Sequence, residues 1–261
     1  MSVGFVHAFH CEWLKKKRSL AAWLIVVGSV FTPAVVLIAN LANRDDLPKI
    51  YASEDFWRRL WTNSWESVAI FFLPMGAILA TSLITQLEFR NNAWKQVHTL
   101  PLNHASLFFS KLSVILVMLV QFVLLINVAI YVSAVIPALL LGDVSYPPAS
   151  IPYVDFLIED AWYFVDCLPI VAVQYAASLR FSNFLVPVGV GFVAWVAALA
   201  ALPWQYGFAI PYTYCMYDYL EDRPGKSTII PDADFHSWAI GYFVLFTIVG
   251  YWMFANRNEK G

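Results

Sequence analysis

Residues 112 to 141 form an almost unbroken apolar stretch, too long for an ordinary helix or strand of a water-soluble core. A helix rises about 1.5 Å per residue and the hydrocarbon core of a bilayer is about 30 Å thick, so roughly 20 apolar residues suffice to cross it. Five more stretches of that kind follow or precede this one. The sequence predicts six spanning helices, at about 19–41, 67–87, 112–134, 161–179, 184–203 and 236–255. The third run exceeds a single straight span, so a helix to about 134 followed by a tilted or re-entrant piece after Pro137 is expected. Composition agrees. The chain is 60% hydrophobic and only 13% charged, about half the charged share of a soluble domain. The expected fold class is all-α: one polytopic integral membrane domain over residues 1–261, with no soluble domain, internal repeat or low-complexity tract. No alternating ten-residue pattern points to a β-barrel.

The flanking charges set an orientation. Lys15, Lys16, Lys17 and Arg18 abut the first span, and positive residues accumulate on the cytoplasmic side. An even number of spans puts both termini there, together with Arg90, Lys95, Lys111 and Arg180. The basic run precedes a full-length span and no small-residue cleavage site follows, so a cleavable signal is not expected. The segments 42–66, 136–158 and 204–235 then face outside. A net charge of −2 gives no basic field for nucleic acid. Three cysteines, Cys11, Cys167 and Cys215, lie far apart with no CxxC spacing and imply no disulfide framework.

Two amphipathic pieces flank the spans. Phe5, Phe9 and Trp13 recur every four residues and share one helical face, as expected of a helix lying along the cytoplasmic interface. Phe56, Trp57, Leu60 and Trp61 share an arc away from Arg58 and Arg59. They read as a second interfacial helix, or simply as lipid-facing anchors.

The segment 88–111 reads E-F-R-N-N-A-W-K-Q-V-H-T-L-P-L-N-H-A-S-L-F-F-S-K. Pro101 disfavours helix at Leu100, so the segment is a helix, a sharp turn and a second helix presented to the cytoplasm. Glu88, Asn91, Asn92, Trp94, Lys95, Leu100, Pro101 and Lys111 resemble the signature loop of type-2 ABC exporter permeases. The E-x-x-N-N-x-W-K form is most similar to the lantibiotic-immunity branch. The resemblance implies a membrane-spanning permease subunit of an ATP-driven exporter in the plasma (inner) membrane, with a peptide or amphipathic antibiotic-like molecule as the expected substrate. It implies a second permease subunit, identical or different, and a cytosolic ABC ATPase that holds the ATP and Mg; this chain itself needs no cofactor. Residues 91–104 would be the coupling helix in the ATPase groove, with Glu88, Arg90, Asn91, Asn92, Trp94, Lys95, Leu100 and Pro101 at the docking surface.

Candidate chemistry within the chain is sparse. Gly225-Lys226-Ser227 mimics the tail of a phosphate loop, but Leu220 stands where the required glycine would be. His7, His10 and Cys11 could share a metal on one face, yet a fourth ligand is not evident, and no metal is expected. Asp155, Glu159 and Asp166 fall on one narrow arc of the fourth span. An ionisable residue within a span is a functional hypothesis by default, so Asp166 and Glu159 are candidates for the translocation path. No His or Lys is expected at the depth of Asp166. That disfavours an intramembrane enzyme, the weaker alternative beside a non-transporting anchor or sensor subunit.

Overall fold

The computed structural model describes residues 2–17, 19–90, 103–221 and 233–256, and among them all regular structure is helical. The helices are α1 (Ser2–Lys17), α2 (Leu20–Ala42), α3 (Leu47–Tyr51), α4 (Phe56–Ser67), α5 (Leu73–Arg90), α6 (His104–Leu140), α7 (Tyr153–Arg180), α8 (Leu185–Ala201), α9 (Tyr214–Glu221) and α10 (Phe235–Ala255). Four helical stretches are long and apolar enough to cross a bilayer: α2, the run from α4 into α5, α6 and α10. The 28-residue α7 is long enough but acidic at its start, and α8 is apolar but only 17 residues long.

Apolar side chains cover the outside of this bundle. Trp23, Val27, Ile38, Val193, Ile248 and Trp252 are all exposed, whereas Ser29, Ser64, Thr81, Ser82, Gln174 and Ser178 are buried. That inversion suits a chain solvated by lipid, in which polar groups bond across helices. Thr32 and Ser67 hydroxyls meet at 2.8 Å, joining α2 to the end of α4, and Ser178 donates to Ser82 at 3.2 Å between α7 and α5. Between α4 and α5 the backbone widens into a π-turn over Val68–Phe72. π-turns of this kind interrupt the regular ladder, and here the Ile70 carbonyl accepts from the Trp195 indole at 2.8 Å.

The helix pair α7–α10 is the most extensive contact in the bundle, followed by α2–α6 and α5–α7. Where α8 meets α7, Pro187 falls in the first turn of α8, where a missing N–H breaks no intrahelical bond. The buried Gln174 amide lies against that stretch; with its oxygen and nitrogen assigned so that both are satisfied, it donates to Pro187 O at 3.1 Å and accepts from Gly191 N at 3.2 Å. A Cβ at position 191 would sit 2.1 Å from the Gln174 amide, so glycine is what admits this close approach.

Three expectations need correction. The third span does not break near 134. α6 runs unbroken for 37 residues to Leu140, about 55 Å at 1.5 Å per residue. Pro137 falls in its last turn, where a missing N–H costs one hydrogen bond and the helix is about to end. The helix that carries the second apolar run begins earlier than residue 67, because α4 feeds into α5 as one continuous helical stretch. Finally, Phe56, Trp57, Leu60 and Trp61 are buried in protein, not lipid-facing. Trp61 stacks on Phe156 at 5.1 Å and Trp65 on Tyr163 at 4.1 Å, so the aromatic arc of α4 is the seam with α7.

The N-terminal helix forms as the spacing predicts. Phe5, Phe9 and Trp13 stack in sequence at 6.5 and 6.1 Å, and α1 packs along α6. Two polar contacts fix it there. Lys111 donates to Glu12 at 2.6 Å with both side chains 6% exposed, and Lys16 donates to Gln121. Lys111 closes the loop motif, so α1 is bolted to the helix that carries the chain out of that loop. Breaking a buried ion pair by removing one partner costs about 3–5 kcal/mol. Glu12→Ala is therefore expected to lower the thermal midpoint in detergent markedly, and Glu12→Leu with Lys111→Met to recover most of the loss. Equal midpoints for wild type and Glu12→Ala would contradict the role given to this pair.

Candidate functional site

Between Asp155 and Cys167, α7 carries four carboxylates and a thiol, and the structure sorts them by depth. Asp155 is exposed. Glu159 is paired with Arg58 of α4, and the Arg58 guanidinium also lies over the Trp61 ring at 5.5 Å. Asp160, not singled out from the sequence, is buried and accepts from the Asn127 amide of α6 at 2.7 Å. Asp166 is fully buried. Cys167, next to it, is fully buried as well.

Asp160 forms part of the wall of an open cavity of about 380 Å³ between α4, α6 and α7. Five rings line it, Trp57, Trp61, Tyr131, Tyr153 and Phe156, together with Asn127 and four aliphatic side chains. One Asp160 oxygen, Oδ1, is buried with no hydrogen-bond partner. Rings around a carboxylate suit an organic cation, which gains from the negative ring faces as well as from the charge. The Trp57 indole donates to the Ala149 carbonyl at 3.0 Å and its ring stacks on Tyr131 at 6.0 Å, so this wall is held rigidly.

Asp166 belongs to a second cluster. Its Oδ1 lies 2.9 Å from His236 Nδ1 in the first turn of α10, which overturns the expectation that no imidazole reaches its depth. The His236 ring stacks on Trp162 at 4.2 Å and 23°. Asp218 of α9 completes a group whose donor atoms all fall within 4.8 Å of one another. Around it, Cys215 donates to the Tyr163 carbonyl at 4.0 Å. Burial, with the Cys167 thiol beside it, pushes the Cys215 thiol well above its ordinary value, so it stays an inert neutral group. Asp234 caps α10, accepting from Ser237 N–H at 3.2 Å and from the Ser237 hydroxyl. Those bonds hold its carboxyl below the usual range.

Of the residues singled out from the sequence, the structure thus separates Glu159 and Asp166. The first closes a pair with α4; the second joins α7 to α10. The docking-loop residues Asn91, Asn92, Trp94, Lys95, Leu100 and Pro101 lie outside the described residues. The Glu88 and Arg90 side chains and the Gly225-Lys226-Ser227 tripeptide do too. On α1, His7, His10 and Cys11 are exposed.

Apolar helices around a polar interior, several of them long enough to cross a bilayer, define a multi-pass membrane protein. The chain belongs to the ABC-2 family of transporter proteins, whose family model, described as ABC-2 family transporter protein, matches residues 8–198. No curated protein and no solved structure matches it. The matched stretch holds Asp160 and Asp166 but ends before Asp218 and His236.

The cluster makes a comparison of two variants informative. His236→Ala leaves the Asp166 carboxylate buried without its cationic partner, at about 3–5 kcal/mol. Asp166→Asn keeps the shape and one hydrogen bond, at about 1 kcal/mol. Thermal unfolding in detergent should rank the variants in that order, and the reverse order would show that the pair is not ionic.

Proposed function

We propose that the chain is the membrane-spanning permease subunit of an ATP-driven ABC exporter. The family match over residues 8–198 carries this reading. Such a subunit crosses the membrane six times, with α7 and α8 completing the four helical stretches already long and apolar enough, and with both termini in the cytoplasm. It works with a second permease subunit and with a cytosolic ABC ATPase that supplies the ATP and Mg chemistry. Energy comes from that partner; this chain supplies the path and a differential affinity in two states, without which ligand and conformation cannot be coupled.

The loop of residues 91–102 is the proposed docking element. It leaves from α5 and returns into α6, and the return is shaped locally: Asn103 caps α6 by accepting from Ala105 N–H at 3.2 Å. The Glu12–Lys111 pair ties α1 to the same end of α6. A push on this loop therefore reaches two packed helices at once, as a rigid-body movement of the bundle requires. The cavity bounded by Asp160 and its aromatic walls favours an amphipathic substrate with a cationic group, such as a peptide or antibiotic-like molecule. The resemblance to lantibiotic-immunity permeases points the same way.

Replacing Trp94 and Leu100 with Ala tests the docking assignment. The double variant is expected to insert into the membrane at the wild-type level and to lose most of the ATPase that accompanies the wild type through gentle detergent purification. Recovery of equal ATPase with both proteins would remove the loop from the interface. A wild-type preparation free of any ATPase would favour a non-transporting anchor instead.

A further inference from the structure

We propose that Asp166, Asp218 and His236 form a binding site for a borderline divalent cation of the Zn²⁺ class, which clamps α9 and α10 onto α7. Three elements converge on this point, and their donor atoms lie within 4.8 Å of one another. The donor set is mixed, two carboxylates and one imidazole. Carboxylates alone suit Mg²⁺ or Ca²⁺, whereas an imidazole shifts the preference toward Zn²⁺. The 2.9 Å between Asp166 Oδ1 and His236 Nδ1 is a hydrogen-bond distance, and a tetrahedral ion about 2.1 Å from each atom would widen it to roughly 3.4 Å, a shift of about half an ångström.

A second observation points to a ligand independently of this clustering. Asp166 is fully buried, and its second oxygen, Oδ2, has no hydrogen-bond partner. Buried carboxylates are paired or coordinate metals, and the contact with His236 occupies only Oδ1 of Asp166. A divalent ion supplies the partner that Oδ2 lacks. Access and rigidity also fit. The His236 side chain is 23% exposed, which gives an ion a way in, and the stack on Trp162 fixes the ring. Asp218 and His236 fall beyond the stretch that matches the family, so the site is a property of this chain's final third added to Asp166. It does not depend on the permease reading, and it stands or falls by its own test.

That test uses the full chain without a histidine tag, purified in detergent, freed of metal, and dialysed against Zn²⁺ in excess Mg²⁺. Bound metal is measured by elemental mass spectrometry against a detergent blank. One Zn²⁺ per chain is expected, with a higher thermal midpoint than the metal-free protein. Asp166→Asn and His236→Ala should each weaken binding at least about tenfold and abolish the thermal shift. Asp155→Asn, an exposed carboxylate of the same helix, should change neither. Asp166→Asn keeps the side-chain shape and supplies the folded comparison should His236→Ala prove unstable. No Zn²⁺ above the blank would overturn the proposal. So would equal binding by wild type and Asp166→Asn, which would place the ion elsewhere, for instance at His7, His10 and Cys11.

Discussion

Lipid offers no hydrogen bonds, and every polar group that enters it must find its partner inside the protein. The rest of this structure follows from that constraint. Helices satisfy their own backbones, so the fold is helical. The side chains that remain polar are turned inward and become the contacts that order the bundle: Thr32 with Ser67, Ser82 with Ser178, Trp195 with the Ile70 carbonyl, Gln174 with the stretch around Pro187. Apolar packing cannot choose one arrangement over another when lipid tails are as apolar as leucine. These pairs, together with close approaches such as Gly191 on Gln174, make the choice.

The same constraint explains why the ionisable residues are grouped. An isolated charge in this interior is costly. Lys111 meets Glu12, Glu159 meets Arg58, and Asp166 meets His236. Each pair joins helices far apart in sequence. The first sits at the start of α6, and the other two lie at the start and the middle of α7. Charge therefore pins helices to one another at the start of α6 and along the first half of α7. The Asp160 cavity lies between these anchored helices, so a movement of α4 against α7 would change its shape.

Much of this was legible in the sequence. Long apolar runs locate the helices because lipid demands length and composition together, and every one of the six expected runs lies on a helix. The face of Phe5, Phe9 and Trp13 was legible for the same reason, since helical periodicity is a local property. Long-range pairing was not. Nothing in the spacing of Asp166 and His236 shows that residues 70 apart will meet, because that depends on how α10 lies along α7. Asp218 gave still less, as one acid in an acidic loop. The aromatic arc of α4 was read correctly as an arc but assigned to the wrong solvent; a face that is apolar to lipid is equally apolar to a neighbouring helix. Pro137 misled because a proline that ends a helix and one that breaks it look alike in sequence.

The proposed path across the membrane turns on α7, whose acidic start sets it apart from the four apolar helical stretches. Its crossing is tested directly by placing single cysteines at its two ends, Asp143→Cys before it and Ser182→Cys after it, in a Cys11→Ser background. Both positions are exposed, while Cys167 and Cys215 are buried. A membrane-impermeant maleimide on intact cells should label position 143, and should reach position 182 only after the membrane is opened. Labelling of both positions from the same side would mean that α7 does not cross, and would contradict the six-helix permease.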